Sequence, residues 1–295
     1  MSEATSSPPH LGIHLLLAGT TAFITVAAMY AAVLILGLGA ILAGVNVQEA
    51  IKNPTWLIIG AAVTQNAVAL VALGAARFWR RYQGLTTREA FRQCFPVGRP
   101  SAASFLGALL VVFGITPLAL GIAQAVQRAF DVETASEEVI RIAAGAPPGA
   151  FALLIVCVAV LPGLVEEALF RGFVTRLFVP WYWVAWLVPS ILFGMVHMDL
   201  VQSVGTIILG LGFGWIRLRT GSVLPSMFAH MTYNGTVLIA ARYSSGHDES
   251  QTVPIIYMAG GLLFAALGSW MLGMRAAPAD VSGRAQEDHE RARED

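Results

Sequence analysis

Seven side chains in three apolar segments have the types and order needed for chemistry inside a membrane. The segments read LPGLVEEALFRGFV, SILFGMVHMDL and PSMFAHMTYNGTVL. The seven residues are Glu166, Glu167, Arg171, Phe193, His197, His230 and Asn234. An ionisable group at the centre of a bilayer costs roughly 2.5–3.5 kcal/mol on insertion scales, so such groups mark functional sites. Carboxylates and imidazoles transfer protons, and acid–base chemistry is therefore the expected use.

Helical spacing predicts which of these side chains share a face. Glu167 and Arg171 are four residues apart, so they lie on one face and can form an ion pair. Glu166 is rotated by about 100° from Glu167 and can point at a different partner. In the other two segments the paired motif residues are also four apart. The three segments can therefore converge two carboxylates, an arginine, two imidazoles and an amide on one cavity.

Eight apolar runs must position these side chains, and each is predicted to be a membrane helix. Several runs reach the roughly 20 residues that cross a hydrocarbon core of about 30 Å. The predicted helices cover about 11–45, 56–76, 103–126, 150–178, 181–197, 201–216, 223–241 and 254–274. A short surface helix is predicted within 131–141, and a kink is predicted at Pro162. The motifs lie on the fourth, fifth and seventh membrane helices.

The composition agrees with this fold class. The chain is 56% hydrophobic and only 12% charged, whereas soluble domains have about a quarter charged residues. Alternating strands of about ten residues, which would indicate a membrane barrel, are absent from the sequence. The net charge is zero, so no basic surface for nucleic acid is expected. Cys94 and Cys157 are predicted to be unpaired thiols. We predict an all-α polytopic membrane protein with about eight transmembrane helices.

The chain is predicted to be one domain with polar ends. Residues 1–10 form a polar N-terminal segment, and residues 11–275 form the transmembrane domain, with the motif-bearing core at about 150–241. Residues 276–295 are mixed in charge and are predicted to be a disordered tail.

Positive charges predict an orientation. If the arginine-rich linker after the second helix is cytoplasmic, fourteen of the eighteen basic residues fall on that side. The other side then has only Lys52, Arg128, Arg141 and Arg242. Both termini are therefore expected in the cytoplasm, with the protein spanning the plasma membrane several times.

This topology imposes a geometric condition on the site. Glu166 and His230 fall toward the cytoplasmic half, while His197 lies about 24 Å from the start of the fifth helix. The residues can meet if the fourth helix extends beyond the membrane core. They can also meet if the fifth helix begins deep in the membrane, for example through a break at Pro189.

The ordered motifs resemble those of a known family. EEALFR at 166–171, FGMVH at 193–197 and HMTYN at 230–234 match the pattern EExxxR, FxxxH, HxxxN of the CPBP family. That family comprises CAAX-type and bacteriocin-processing intramembrane proteases, also called Abi or Rce1-like proteins. EExxxR alone is a weak signal, but the ordered triple within apolar segments is a strong one. The resemblance covers about 150–241 and implies hydrolysis of a peptide bond in a membrane-associated or hydrophobic peptide.

The resemblance also implies roles for the residues. Glu166 is the expected general base toward water, and His197 helps to hold that water. His230 and Asn234 are expected to donate hydrogen bonds to the developing oxyanion. Glu167 and Arg171 form a structural pair, and Phe193 packs in the pocket wall.

A metal-dependent version of the site is an open alternative. Glu166, His197 and His230 could bind one zinc ion and leave a fourth position for water. The other alternative is a glutamate-dependent reaction without any metal. The sequence contains no HExxH, no GxSxG and no GxGD on a membrane helix.

Two other functions compete with the protease. Intramembrane Glu, His and Arg also build proton relays in secondary transporters, although paired internal repeats are not found in this sequence. A non-catalytic immunity or scaffold protein could keep the same residues for stability. The nature of the substrate, prenylated or not, stays open.

Overall fold

Long helices build the protein, and the computed structural model describes residues 10–50, 52–132, 134–243 and 252–273. The helices are α1 Leu11–Leu42, α2 Val47–Ala50, α3 Pro54–Gln83, α4 Thr87–Cys94, α5 Ala102–Phe130, α6 Ala135–Gly145, α7 Pro148–Leu177, α8 Tyr182–Met195, α9 Leu200–Thr220, α10 Leu224–Tyr243 and α11 Ile255–Gly273. No strand occurs in the described ranges, and the all-α polytopic fold class is confirmed. Residues 1–9 of the predicted N-terminal segment and the predicted tail, 276–295, lie outside the described residues.

Six of these helices are long and apolar enough to cross a membrane: α1, α3, α5, α7, α9 and α11. Helix α8 has 14 residues, about 21 Å of helix, which is shorter than a hydrocarbon core of about 30 Å. Helix α10 has 20 residues, but its polar motif lowers its hydropathy. Each of the eight predicted membrane helices therefore exists as a helix, whereas a count of eight membrane crossings is not confirmed.

Helix α7, which contains the EExxxR motif, is irregular. Its segments Ile155–Val160 and Ala168–Val174 are π-helical. Pro162 lies in the first turn of the α-helical stretch between them, so the irregularity predicted at this proline takes the form of a π-helical segment just before it. Glu166 and Glu167 end that stretch, directly before the second π-helical segment. Such segments are rare and occur frequently at functional sites.

The start of α9 fixes the turn that contains His197. Asp199 is the N-cap of α9, and its Oδ1 accepts a hydrogen bond from the Gln202 N–H at 2.8 Å. A carboxylate in this position satisfies one of the free N–H groups at a helix start. Gly221 ends the same helix in the left-handed conformation, with φ at 66°. The connection from α8 to α9 has only four residues, 196–199, and the Asp199 cap anchors it to the start of α9.

Helix ends on one side of the bundle are joined by tertiary hydrogen bonds. His14, near the start of α1, donates from Nδ1 to the carbonyl of Leu177 at the end of α7. The Val223 N–H, just before α10, donates to the Pro96 carbonyl at 2.9 Å. We call this side the arginine face. Its basic residues are Arg77, Arg80, Arg81, Arg88, Arg92, Arg99, Arg176, Arg217 and Arg219.

The opposite face contains the other ends of the same helices. Arg242, in the last turn of α10, donates from Nη1 to the Ala146 carbonyl before α7 at 2.6 Å. The Val253 N–H, before α11, donates to Gln124 Oε1 of α5 at 3.0 Å. The amphipathic helix α6 lies on this side, in agreement with the predicted surface helix. The described basic residues of this face are Lys52, Arg128, Arg141 and Arg242.

Glycines allow α5 and α11 to pack backbone against backbone. A Cβ atom built on Gly261 would lie 2.3 Å from the Gly114 carbonyl oxygen, and one on Gly114 would lie 2.5 Å from the Ala265 nitrogen. A Cβ atom on Gly268 would lie 2.6 Å from the Gly107 oxygen. Small residues permit this close approach between helices in lipid.

We expect Gly261→Ala to lower the stability of the bundle by about 1–3 kcal/mol, because the added methyl forces two backbones apart. Gly260→Ala is the matched control, since a Cβ atom there meets nothing within 4 Å and alanine is favoured over glycine in a helix. Thermal unfolding of the purified protein in detergent measures both variants. Equal transition temperatures would contradict the close contact between α5 and α11.

Candidate functional site

One cavity of about 500 Å³ brings together five of the seven predicted residues. They are Glu166, Phe193, His197, His230 and Asn234. The cavity lies between α1, α3 and all the helices from α5 to α10, and most of its wall is apolar. Glu167 and Arg171 do not line it; both are fully buried behind its wall. The three motif-bearing segments therefore meet at one place, but the second carboxylate and the arginine of the predicted set lie outside the cavity.

The motif residues meet without a break at Pro189. This proline lies inside α8, and His197 lies just beyond the end of α8, in the turn before α9. Helix α7 has 30 residues, about 45 Å, and is longer than a hydrocarbon core of about 30 Å. A fourth membrane helix that extends beyond the membrane core is therefore consistent with the structure.

Glu166 is half-buried and has a partner from outside the motifs. Its Oε1 accepts a hydrogen bond from Gln65 Nε2 of α3 at 2.9 Å. The carboxylate thus stays in the cavity wall with one oxygen directed at a neutral donor. Among the described residues that line the cavity, Glu166 has the only carboxylate.

Glu167 is the centre of a buried polar network rather than a member of a simple pair. Its Oε1 accepts from Arg171 Nη1 at 2.9 Å and lies 3.1 Å from Nδ1 of His230. The i, i+4 ion pair predicted from the sequence is present. The contact with His230 gives Glu167 a second role, which is to orient the imidazole. A carboxylate that is hydrogen-bonded to one ring nitrogen fixes the orientation of the ring.

Arg171 is enclosed by aromatic rings and backbone. Its guanidinium carbon lies 4.3 Å from the centre of the Phe193 ring and 5.3 Å from that of Phe213. Nη2 donates to the Gly210 carbonyl at 3.0 Å. A Cβ atom on Gly210 would lie 3.1 Å from Nη2, so a glycine there leaves room for the arginine. Phe193 therefore covers the ion pair as well as lining the cavity.

His197 is held by its own helix. Nδ1 lies 2.9 Å from the Phe193 carbonyl oxygen, and because a carbonyl oxygen can only accept, Nδ1 has the proton in the neutral ring. The Nε2 atom is then an acceptor. The imidazole also packs edge-on against the Phe193 ring, with centroids 5.3 Å apart.

Asn234 donates a hydrogen bond to a backbone carbonyl that Pro162 leaves without its usual helical donor. Proline has no N–H, so Pro162 cannot donate to the Val158 carbonyl four residues earlier. Asn234 Nδ2 donates to that carbonyl at 3.3 Å. Because the amide nitrogen has two hydrogens, one remains for a group in the cavity.

The side chains do not form the metal centre that the sequence allows. Within the described ranges, no three His, Cys, Asp or Glu side chains lie close enough to hold one ion. Glu166 Oε1 accepts a hydrogen bond from Gln65 Nε2, and His230 Nδ1 lies against Glu167 Oε1, so these two atoms already have partners within the protein. The set Glu166, His197 and His230 lines one cavity without forming a ligand cluster.

Two contributors to the site were missed by the motif search. Gln65 lies in α3 and Phe213 in α9, and both line the cavity. The signal for Gln65 was a polar residue inside the apolar sequence AAVTQNAVAL. Glu166 also stands out as a polar residue inside an apolar segment, so Gln65 could have been predicted in the same way. Nothing in the sequence distinguishes Phe213 from other phenylalanines.

Comparison with known proteins gives one family. Residues 148–236 match the family model described as type II CAAX prenyl endopeptidase Rce1-like. The match extends from α7 into α10 and contains all seven predicted site residues, and the resemblance to the CPBP family is confirmed. Gln65 lies outside the matched segment. No curated protein and no solved structure matches the chain.

Proposed function

Because residues 148–236 of this chain are Rce1-like, we propose that it is an intramembrane endopeptidase in which Glu166 activates water. The substrate is a membrane-associated or hydrophobic peptide segment, since most of the cavity wall is apolar. Its partners are the lipid bilayer and that peptide, and nucleic acid is not among them.

The observation that best supports this proposal is the set of groups on one cavity. Glu166 is a half-buried carboxylate, and two imidazoles and an amide line the same space. A carboxylate that can hold and release a proton, together with nearby donors, is the minimum for general-base hydrolysis. The cavity volume of about 500 Å³ also falls in the range of small-molecule and peptide sites.

The reaction proceeds through a tetrahedral intermediate. Glu166 takes a proton from water while the water oxygen bonds to the scissile carbonyl carbon. The carbonyl oxygen becomes an oxyanion, which receives hydrogen bonds from Asn234 Nδ2 and from Nε2 of a doubly protonated His230. The C–N bond then breaks, and the proton on Glu166 passes to the leaving amine. His197 Nε2 accepts a hydrogen bond from the attacking water.

The orientation follows from the two faces of the bundle. The arginine face is cytoplasmic under the positive-inside rule, and the start of α1 and the end of α11 both lie there. Both termini are then cytoplasmic, in a protein of the plasma membrane.

Comparison of protein termini in cells tests the function. Cells that express the wild-type chain are compared with cells that express Glu166→Gln, at matched amounts in the membrane. New termini found only with the wild-type chain would identify both substrate and cleavage site. Identical terminus profiles, or altered solute flux without any peptide product, would contradict the protease and favour the scaffold or transporter.

We expect Gln65→Leu to lower kcat by roughly 10- to 150-fold, because a hydrogen bond to a charged group contributes about 1.5–3 kcal/mol. The adjacent variant Asn66→Ala is the control, since Asn66 is exposed and its amide donates to the Ala62 carbonyl of its own helix. Cleavage rates at saturating substrate measure both variants. An unchanged kcat in Gln65→Leu would mean that Gln65 does not position the base.

A further inference from the structure

The cavity approaches only one face of the bundle. Its inner end is closed by three buried aromatic side chains, Phe170, Phe193 and Phe213. From there it extends along the halves of α5, α9 and α10 that are remote from the arginine face. None of the described lining residues lies in the last turn of a helix at the arginine face.

The outer end of the cavity is polar and half-buried. We call it the mouth, formed by Gln124 and Gln127 near the end of α5, Thr134 and Ser136 at the start of α6, and Gln202 at the start of α9. Gln127 Nε2 donates to Glu137 Oε1 at 2.6 Å, and Gln124 Oε1 accepts from the Val253 N–H. Because carboxamides and hydroxyls have more than one donor or acceptor position, these side chains can also bond to the backbone of an extended peptide. The polar end lies toward the surface of the bundle and the aromatic end lies in its interior, so this arrangement favours entry from the polar end.

From this geometry we propose that the substrate reaches Glu166 from the non-cytoplasmic side of the membrane. The mouth lies on the face with few basic residues, opposite the arginine face. Since basic loops are retained in the cytoplasm, the mouth opens away from it. This inference rests on the proposed function, and it assigns as substrates those segments that are exported or exposed outside the cytoplasm.

The charges in the cavity narrow the substrate class further. The described lining residues include no Lys and no Arg, while Glu166 is a carboxylate. An acidic substrate side chain beside Glu166 would be repelled by its carboxylate. The bond that is cut is therefore expected to lie within a stretch of chain without acidic side chains.

Cysteine labelling tests the position of the mouth without any substrate. Ser136→Cys and Gln202→Cys mark the mouth, and exposed Gln48→Cys and Thr87→Cys mark the opposite face and the arginine face. The wild-type chain is the blank, because Cys94 and Cys157 are both buried, and burial raises the pKa of the Cys94 thiol to about 12. The probe is a membrane-impermeant maleimide applied to sealed right-side-out and inverted vesicles.

We expect both mouth variants and Gln48→Cys to be labelled at least tenfold faster in right-side-out vesicles than in inverted vesicles, and Thr87→Cys to show the reverse. Labelling of both mouth variants from the side of Thr87→Cys would overturn the proposal. Labelling of neither mouth variant from either side, or labelling of Gln48→Cys in inverted vesicles, would overturn it as well.

The comparison of protein termini between cells with the wild-type chain and cells with Glu166→Gln provides a second test. Its outcomes distinguish a wrong direction of substrate entry from a wrong assignment as a protease. Glu166-dependent termini within non-cytoplasmic segments support the inference. Glu166-dependent termini within cytoplasmic segments contradict it and leave the protease intact. The complete lack of such termini contradicts both.

Discussion

Glu166→Gln is expected to lower kcat/KM for peptide cleavage by about 10²- to 10⁴-fold, the usual contribution of a general base. The glutamine has nearly the same shape and can still contact Gln65, but its amide cannot take a proton from water. The variant should therefore accumulate in the membrane to the same level as the wild-type chain. The measurement is the cleavage rate of a substrate identified from the terminus comparison, at equal amounts of purified protein.

Glu49→Gln is the matched control for this change. Glu49 is an exposed residue of α2, and no residue of α2 lines the cavity, so its replacement removes the same charge without changing a lining residue. Its cleavage rate should equal that of the wild-type chain. If Glu166→Gln retained full activity, the role of Glu166 as base would be wrong, although the fold and the Rce1-like resemblance of residues 148–236 would be unaffected.

Glu167→Gln is expected to destabilise the protein by about 3–5 kcal/mol, because it leaves Arg171 as an uncompensated buried charge. Both side chains have no exposed surface, and the carboxylate also contacts His230 at 3.1 Å. The loss should appear as a lower unfolding temperature in detergent and as reduced accumulation in the membrane. Activity should fall for the same reason, since His230 loses the carboxylate that orients it.

Arg141→Met provides the contrast with an exposed ion pair. The Arg141 and Glu138 side chains form a salt bridge on α6 with relative exposures of 71% and 36%. Such surface pairs contribute about 0–1 kcal/mol, so the unfolding temperature should hardly change. Similar losses for Glu167→Gln and Arg141→Met would show that the buried network does not stabilise the bundle.

The helices and the identity of the motif residues could be predicted from the sequence because both are local properties. Apolar runs long enough to cross a membrane must form helices, since their backbone groups have no water to bind. The i, i+4 spacing of Glu167 and Arg171 was sufficient to predict their ion pair. The order of the three motifs was sufficient to predict the match of residues 148–236 to the Rce1-like family model.

The partners of those residues depended on contacts between distant parts of the chain. Gln65 meets Glu166 across 101 positions, and His230 meets Glu167 across 63. No periodicity within one helix determines which neighbouring helix it faces, or at what height. The sequence therefore allowed a zinc set of Glu166 and two histidines, whereas the packed structure gives each carboxylate a different partner.

The direction of the cavity is the clearest example of this division. Charge distribution along the chain determined which helix ends share a side, because basic residues cluster at alternate connections. The packing of α5, α7, α9 and α10 around the site determines which of the two sides the site opens toward. That packing closes the inner end with phenylalanines and leaves Ser136 and the glutamines at the other, an arrangement set by tertiary contacts and not by the spacing of residues within any single segment.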